Sequence, residues 1–415
     1  MKSLTNLVLF LAVSIDLGAA ASLENASVNP IKIGGNDIVF DSTRNLLYLS
    51  VPSAAGFPYG NSIVTINPTN AQIIHTTFVG SEPNKLAISS DASRVYVGLD
   101  GADSFCWWEP ATDTVSAPVL FTASFPFGPY TASDFAIAPN DPHTVIVSKD
   151  DVPSTAAGDI EVFQDDKSVL EMNLIYGAES ICFSDTNTLI GFNNYDTGFD
   201  LWKWTFDGTH LTQTGHVGNV ISGFYAKIKA ADGLIFSDNG KIVTASTLAP
   251  LGTFSGLPTS CAVEPIPGTN TVYFLGPASF GASYLQLAVF DKNRFLRLDS
   301  KTFTNILASS MRSLVAAGKE PSGGDRLGFI QLDGTAGIIS IPPPVFKIEA
   351  FQSNGAISQL SWPSDIGREY LVQWSSDLRN WTTFITTTAT QFRTTKTFTS
   401  QGTTAGREFY RVLGN

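Results

Sequence analysis

Seven polar or charged residues of this sequence share a recurring context, because each lies just before an apolar segment that repeats along the chain. They are Glu82, Asn84, Asp134, Glu179, Tyr225, Ser260 and Arg312. Carboxylates that a fold gathers at one rim can hold a cation, polarise a water molecule, or bind a sugar or a basic peptide. The same residues can instead be turn residues that satisfy backbone groups, and the sequence leaves both interpretations open.

Motifs that would define a reaction are absent from the sequence. Haem attachment needs Cys-x-x-Cys-His and zinc needs clustered His and Cys, but neither pattern occurs. A Gly-x-Ser-x-Gly nucleophile motif and a phosphate-binding glycine loop are also missing. We therefore expect no cofactor and no metal. The turns Asp150–Asp151 and Asp165–Asp166 leave weak binding of Ca²⁺ as an alternative, although they lack the ligand spacing of a dedicated calcium loop.

The elements that would position these residues follow from an internal repeat. A short apolar segment, a turn rich in Asp, Gly, Pro or Asn, and a second apolar segment recur seven times. The copies begin at Ile38, Leu86, Phe135, Ile181, Ala226, Cys261 and Ser313. Their spacing matches one four-stranded blade per copy, so the sequence predicts an all-β fold with a seven-bladed β-propeller. Six or eight blades stay open because the fifth repeat is short.

The first two repeats carry a family resemblance. The stretches Ser62–Pro68, Val79–Pro83 and Arg94–Val97 resemble the YVTN-type, WD40-like propeller repeat. Proteins with such repeats are often exported or surface proteins of bacteria. Some relatives are lactonase-like enzymes or haem- or quinone-dependent enzymes, so the resemblance implies the fold and leaves the activity open.

A propeller would bring the seven polar residues together. Loops that join an outer strand to the next inner strand converge at one mouth of the central channel, and these residues lie in such loops. Closing the ring requires an outer strand for the last blade, because an open sheet edge invites aggregation. The sequence predicts that Val28–Ile33 supplies this strand.

The ends of the chain have separate roles. Residues 1–21 combine Lys2, an apolar run over Leu4–Val13 and the small residues Ala19–Ala21, which is typical of a signal peptide. The propeller is predicted over 22–341 and a Pro-rich linker over 342–345. We expect a secreted or cell-surface monomer without a transmembrane span.

Residues 346–415 read as a second, small β domain. Predicted strands cover Phe346–Ile348, Ile357–Trp362, Tyr370–Trp374, Trp381–Thr386, Arg393–Phe398 and Phe409–Val412. The segments Leu360–Trp362, Tyr370–Ser375 and Phe409–Val412 resemble a fibronectin-III-like module of exported bacterial proteins. The resemblance implies a β-sandwich-like core with Trp362 and Tyr370 on facing sheets, acting as a spacer, tether or sorting unit.

Composition limits the partners. The chain carries 25 Lys and Arg against 37 Asp and Glu, a net charge of −12, and an acidic surface repels nucleic acid. Three widely spaced cysteines predict a fold that does not depend on disulfides. We expect a non-catalytic binding or scaffold protein for an unidentified protein or carbohydrate ligand. The alternative is a lactonase-like or glycan-acting enzyme that uses the carboxylates at the channel mouth.

Overall fold

The computed structural model describes most of the chain in separate stretches. These are residues 23–122, 128–151, 159–172, 177–321, 323–342, 350–354, 357–364, 369–391, 393–399, 401 and 408–414. The predicted signal peptide, nearly all of the predicted linker and the predicted strand Phe346–Ile348 lie outside these residues. Two compact units are distinguished, one spanning Leu23–Pro342 and the other containing the residues that follow.

The larger unit begins with a single strand and continues with sheets of antiparallel strands. The strands of the first half are β1 (Ser27–Pro30); in sheet 1, β2 (Asp37–Asp41), β3 (Leu46–Val51), β4 (Ser62–Asn67) and β5 (Gln72–Phe78); in sheet 2, β6 (Pro83–Ile88), β7 (Val95–Leu99), β8 (Ser104–Glu109), β9 (Thr114–Val115) and β10 (Val119–Leu120); in sheet 3, β11 (Tyr130–Ile137), β12 (Thr144–Asp151), β13 (Ile160–Gln164) and β14 (Lys167–Met172).

Four more sheets complete this unit. Their strands are, in sheet 4, β15 (Ser180–Phe183), β16 (Thr188–Phe192), β17 (Asp200–Phe206) and β18 (Leu211–Gly218); in sheet 5, β19 (Ile228–Ala231), β20 (Leu234–Ser237), β21 (Lys241–Thr244) and β22 (Pro250–Thr253); in sheet 6, β23 (Ala262–Pro265), β24 (Thr271–Pro277), β25 (Tyr284–Asp291) and β26 (Leu296–Leu307); in sheet 7, β27 (Met311–Lys319), β28 (Asp325–Gln331) and β29 (Ala336–Ile341), with β1 as the fourth strand.

In sheets 1, 3, 4, 5 and 6, each strand pairs with the strand that comes next in sequence. In sheet 2, β9 and β10 both pair with β8. Each predicted repeat begins in the first strand of a sheet or within two residues of it. The helical segments of the described residues are two short 3₁₀ turns, Ser53–Ala55 and Asp100–Ala102. Neither turn has the length and apolar character that a helix needs to cross a membrane, and the described residues contain no other helix.

The sheets follow one another in a circle. The first strand of each sheet contacts the first strand of the next, and β27 of sheet 7 contacts β2 of sheet 1. Buried side chains fill the space between consecutive sheets. Tyr48 of sheet 1 meets Trp108 of sheet 2 edge to face, with ring centroids 4.9 Å apart. Trp204 of sheet 4 is fully buried beside Ile146 and Ile160 of sheet 3.

Sheet 7 is completed by the start of the chain, as the sequence predicts. Strand β1 pairs antiparallel with β29, with Val28 opposite Ile339 and Pro30 opposite Gly337. The predicted segment was Val28–Ile33, whereas the strand ends at Pro30. The N–H of Ile31 still donates to the carbonyl of Ala336 at 3.0 Å. The two ends of this unit therefore share one sheet.

The smaller unit contains two three-stranded sheets in its described residues. Sheet 8 has the order β30 (Ala350–Asn354), β31 (Ile357–Pro363) and β34 (Arg393–Thr399), and sheet 9 has the order β33 (Thr382–Thr388), β32 (Glu369–Ser375) and β35 (Phe409–Gly414). Trp362 of β31 and Tyr370 of β32 are both buried, with ring centroids 6.0 Å apart. Both residues belong to one buried cluster with side chains of both sheets.

Candidate functional site

Two sets of loops open on the same end of the sheets in the larger unit. One set joins each outer strand to the next first strand, and the other joins the second strand to the third. Both sets lie at one end because the strands are antiparallel. The predicted site residues come from the first set alone. The second set adds Asp100, which directly follows β7, Asp150 near the end of β12, and Asn194 and Asp196 in the loop after β16. We call this end the mouth.

Three of the mouth residues form one hydrogen-bonded chain. Arg312, at the start of β27, donates from Nη1 to Asn84 Oδ1 at 3.1 Å. Asn84 donates in turn from Nδ2 to Asp100 Oδ2 at 2.6 Å. Arg312 belongs to sheet 7 and Asn84 to sheet 2, so the contact passes over the edge of sheet 1. Burial raises the pKa of Asp100 to about 6, and Glu82 and Asp150 add to this rise against the opposing effects of Asn84 and Arg312.

A second chain begins at Glu179, just before β15. Its Oε2 accepts the N–H of Asn194 at 2.8 Å, and the carbonyl of Asn194 accepts the N–H of Tyr225 at 2.9 Å. Tyr225 has a positive φ of 61° and is 70% exposed, and its ring lies edge to face with Tyr195 at 5.6 Å between centroids. Glu179 therefore holds the loop of Asn194 and Tyr195, and Asn194 in turn binds the loop of Tyr225.

The carboxyl group of Glu179 is buried and incompletely paired. Its Oε1 accepts no hydrogen bond within the part of the chain that the structure describes, and the residue is 5% exposed. Burial, together with the negative charges of Asp150 and Asp196, raises the pKa of this carboxyl to about 7. The hydrogen bond from Asn194 acts in the opposite direction. A buried acid with a free oxygen and acidic neighbours favours either a proton or a cation.

Asp134 belongs to neither of these two hydrogen-bonded chains. It forms an ion pair with Lys85 at 3.0 Å and accepts the N–H of Ile181 at 3.0 Å. Lys85 also lies 3.6 Å from Asp37. Burial opposes the charge of Lys85, but Asp134 and Asp37 raise the pKa of its ammonium group. Asp134 thus joins sheets 2, 3 and 4 and is not an unoccupied rim carboxylate.

The same device recurs around the ring. A side-chain oxygen of one sheet accepts a backbone N–H from the first strand of the next sheet. Beyond Asp134, such contacts join Leu86 to Asp37 at 3.1 Å, Ile228 to Ser180 at 3.1 Å, Val263 to Asp238 at 2.8 Å and Ala316 to Glu264 at 2.9 Å. Several acidic residues near the axis are therefore structural.

Two lysines cross the axis of the ring. Lys227 donates from Nζ to the carbonyl of Arg312 at 2.7 Å, and Lys229 binds Glu264 and the carbonyl of Leu314. Both lysines start in or beside sheet 5 and reach sheet 7. Burial lowers the pKa of Lys227 to about 8, and the charge of Lys85 contributes. Near the axis, Lys85 and Lys229 are paired with carboxylates, and Lys227 binds a backbone carbonyl.

Glu82 has a role that the sequence did not predict. It lies in a loop with a positive φ of 53°, and its carboxylate accepts hydrogen bonds from the N–H of Ser53, at 3.3 Å, and from the hydroxyl of Ser53. Its own N–H donates to Asn61 Oδ1 at 3.0 Å. Glu82 therefore holds the loop between β3 and β4 to the mouth.

Residues suited to metal binding are not gathered in the described part of the chain, where no group of three His, Cys, Asp or Glu has metal-binding geometry. Each of the four histidines contacts an aspartate instead, in the pairs His75–Asp113, His143–Asp165, His210–Asp207 and His216–Asp200. The three cysteines are unpaired, and burial raises the pKa of all three thiols.

The structure thus divides the predicted site residues into smaller sets. Asn84 with Arg312, and Glu179 with Tyr225, form two linked pairs at the mouth. Glu82 acts on Asp100 through its charge while it binds Ser53. Asp134 belongs to the paired charges at the axis. Ser260 accepts the N–H of Met311 through its carbonyl at 3.0 Å, and no side-chain contact of Ser260 is observed in the described residues.

Comparison with known proteins identifies the fold. No model of a known protein family matches the chain, and no curated protein matches it in sequence. Among solved structures, the β-propeller domain of Cps50 (Swd1) from Myceliophteria thermophila superposes with a TM-score of 0.53 at 9% identity, over 76% of this chain and 100% of that chain. At this identity the likeness concerns the fold alone. The larger unit is a β-propeller.

Proposed function

We propose that this protein is an exported, seven-bladed β-propeller of the YVTN type that binds a basic ligand at the mouth, as a binding or scaffold protein and not as an enzyme. The seven circularly ordered sheets and the pairing of β1 with β29 support the blade number. Sheets 8 and 9 would form a fibronectin-III-like spacer or tether. We expect the protein to be a secreted or cell-surface monomer that does not bind nucleic acid.

The observation that carries the binding role is the excess of acidic groups at the mouth. Glu179 has a buried carboxyl with a free Oε1, and Asp150 acts electrostatically on both Glu179 and Asp100. Arg312 is the one cation that acts on Asp100 from this end. A cationic group of a partner would relieve the repulsion among these carboxylates, so charge complementarity favours a basic peptide.

A titration with short charged peptides tests this proposal. We expect tetralysine to bind the full chain and tetraglutamate not to bind, as measured by isothermal titration calorimetry at low salt. The double variant Asp100→Asn with Glu179→Gln should bind tetralysine about tenfold more weakly. The control is Glu109→Gln, which removes one carboxylate at the far end of β8. Equal affinity of the parent and the double variant would contradict binding at the mouth.

A second candidate is the lactonase-like or glycan-acting enzyme, which the raised pKa of Glu179 favours. A carboxyl group with a pKa of about 7 is suited to general acid or base catalysis near neutral pH. We would assay hydrolysis of a panel of lactones and oligosaccharides. Turnover that Glu179→Gln abolishes, while Glu109→Gln preserves it, would replace the binding proposal with this one.

A further inference from the structure

The loop between β3 and β4, which is one of the mouth loops, forms an open pocket on sheet 1 that the acidic groups described above do not line. The cavity has a volume of about 480 Å³. This lies within the range of about 300–1,000 Å³ that is usual for small-ligand sites. The side chains that matter here are Ser53, Phe57, Asn61, Ser62, Thr76 and Phe78.

Two phenyl rings of the pocket lie in solvent. Phe57 is 101% exposed and Phe78 is 69% exposed. Exposing one phenyl ring is unfavourable, and two rings on the wall of one cavity form an apolar surface that a ligand could cover. The loop that carries Phe57 has its own backbone hydrogen bonds, from Gly56 N–H to Ser53 at 2.9 Å and from Tyr59 N–H to Gly56 at 2.9 Å. The ring is therefore presented by a structured turn.

The remaining lining is polar without being charged. No residue of the lining is Asp, Glu, Lys, Arg or His, although the chain as a whole is strongly acidic. Asn61 uses Oδ1 to accept the N–H of Glu82 at 3.0 Å. Its Nδ2 makes no hydrogen bond with the described residues, and neither does the hydroxyl of Thr76. The pocket thus offers neutral donors and acceptors next to aromatic faces, and the nearby carboxylate of Glu82 is engaged by Ser53.

We propose that this pocket binds a neutral carbohydrate, with a sugar ring against Phe57 and Phe78 and its hydroxyl groups on Asn61 and Thr76. A neutral sugar ring has an apolar C–H face and a rim of hydroxyl groups, and the pocket has the matching arrangement of phenyl rings and neutral polar groups. Its lining shares no residue with the acidic groups proposed to bind a basic ligand. Glu82 is a positioning residue here, because it binds Ser53 at the base of the loop.

Binding is tested with soluble neutral hexasaccharides of glucose, xylose, galactose and N-acetylglucosamine, added at millimolar concentration to the full chain. We expect at least one of them to bind, measured by calorimetry and by ligand-observed NMR. The variants Phe57→Ala and Phe78→Ala should each weaken that binding about tenfold or more. Glu82→Gln should weaken it less, with the melting temperature unchanged.

The matched control is Phe280→Ala, because Phe280 is 98% exposed in a loop of sheet 6 that does not line the pocket. This variant should bind the sugar like the parent, and circular dichroism should report native melting for all four variants. Hexaproline and an oligogalacturonate are tested in parallel. Absence of binding to every neutral sugar overturns the proposal. So does binding that Phe57→Ala leaves unchanged, or a stronger response to hexaproline or to the charged sugar.

Discussion

At the scale of single residues, Glu179 links the fold to the mouth. Its Oε2 holds the N–H of Asn194, while its Oε1 has no partner among the described residues. Ionisation therefore places a charge in a buried position with one hydrogen bond and two acidic neighbours, Asp150 and Asp196. This arrangement favours the protonated carboxyl more strongly in the folded protein than in the unfolded chain, so folding and protonation are coupled.

The coupling predicts a pH-dependent difference between Glu179→Gln and the parent. Because the folded pKa of about 7 lies above the ordinary value of 4.5 for a glutamate, the stability from protonated Glu179 is present below the unfolded pKa and is lost as the pH rises through 7. Between pH 5 and pH 8 the loss is on the order of 3 kcal/mol. The variant, which stays neutral, should melt near the parent at pH 5 and several degrees above it at pH 8.

Differential scanning fluorimetry across this pH range measures the difference, with Glu109→Gln as the control for removing one negative charge. The control should show no comparable change between pH 6 and pH 8. A difference between Glu179→Gln and the parent that stays constant with pH would contradict titration of Glu179 in this range.

At the scale of strands and sheets, much of the architecture follows from local patterns. Apolar segments around Asp- and Gly-rich turns predict the first strands, because hairpin turns and alternating burial leave clear signals. Strand β30 was missed, since Ala350–Asn354 has one aromatic residue among polar ones. The contacts between sheets could not be predicted. Lys85 and Asp134 are 49 residues apart, and the pattern of one strand does not specify which neighbouring sheet its side chain reaches.

The same limit applied to the candidate site. The predicted mouth residues all come from one set of loops. The sequence does not reveal that Asp134 is neutralised by Lys85 or that Glu82 binds Ser53. The second set of loops did carry a signal. Asp100, Asp150 and Asp238 each follow or end a second strand, so the antiparallel order would have placed them at the same end.

Strand β1 gives a prediction at this scale. Deleting residues 22–31 should expose the edge of β29 and remove buried Val28, and Asp299 would lose the 2.7 Å hydrogen bond that it accepts from the N–H of Leu23. We expect aggregation, or a fall in melting temperature of at least about 10 °C, measured by light scattering and calorimetry.

The control is Ser27→Ala with Asn29→Ala, which keeps the backbone ladder of β1 and should melt like the parent. If the deletion variant remained monomeric and as stable as this control, β1 would not be needed to complete sheet 7.

At the scale of the whole molecule, the two units have separate cores. The propeller clusters are formed between neighbouring sheets, and the cluster around Trp362 and Tyr370 lies within the smaller unit. The pairing of β1 with β29 brings the first and last strands of the propeller into one sheet, so we expect its stability not to require the residues after Pro342. Three unpaired cysteines mean that no disulfide joins any parts of the chain.

We therefore predict that residues 22–342 fold without the rest of the chain. Because both strands that close sheet 7 are present, this fragment should be monomeric and unfold in one cooperative transition, near the temperature of the full chain, with or without reducing agent. Calorimetry and size-exclusion chromatography measure this, and limited proteolysis of the full chain should release a stable fragment cut between 343 and 349.

A matched fragment ending at residue 332 lacks β29 and leaves β1 without its partner strand. That fragment should aggregate. If both fragments aggregated, or if proteolysis left no stable product of the longer length, the propeller would depend on the residues after Pro342 and the predicted division into domains would be wrong.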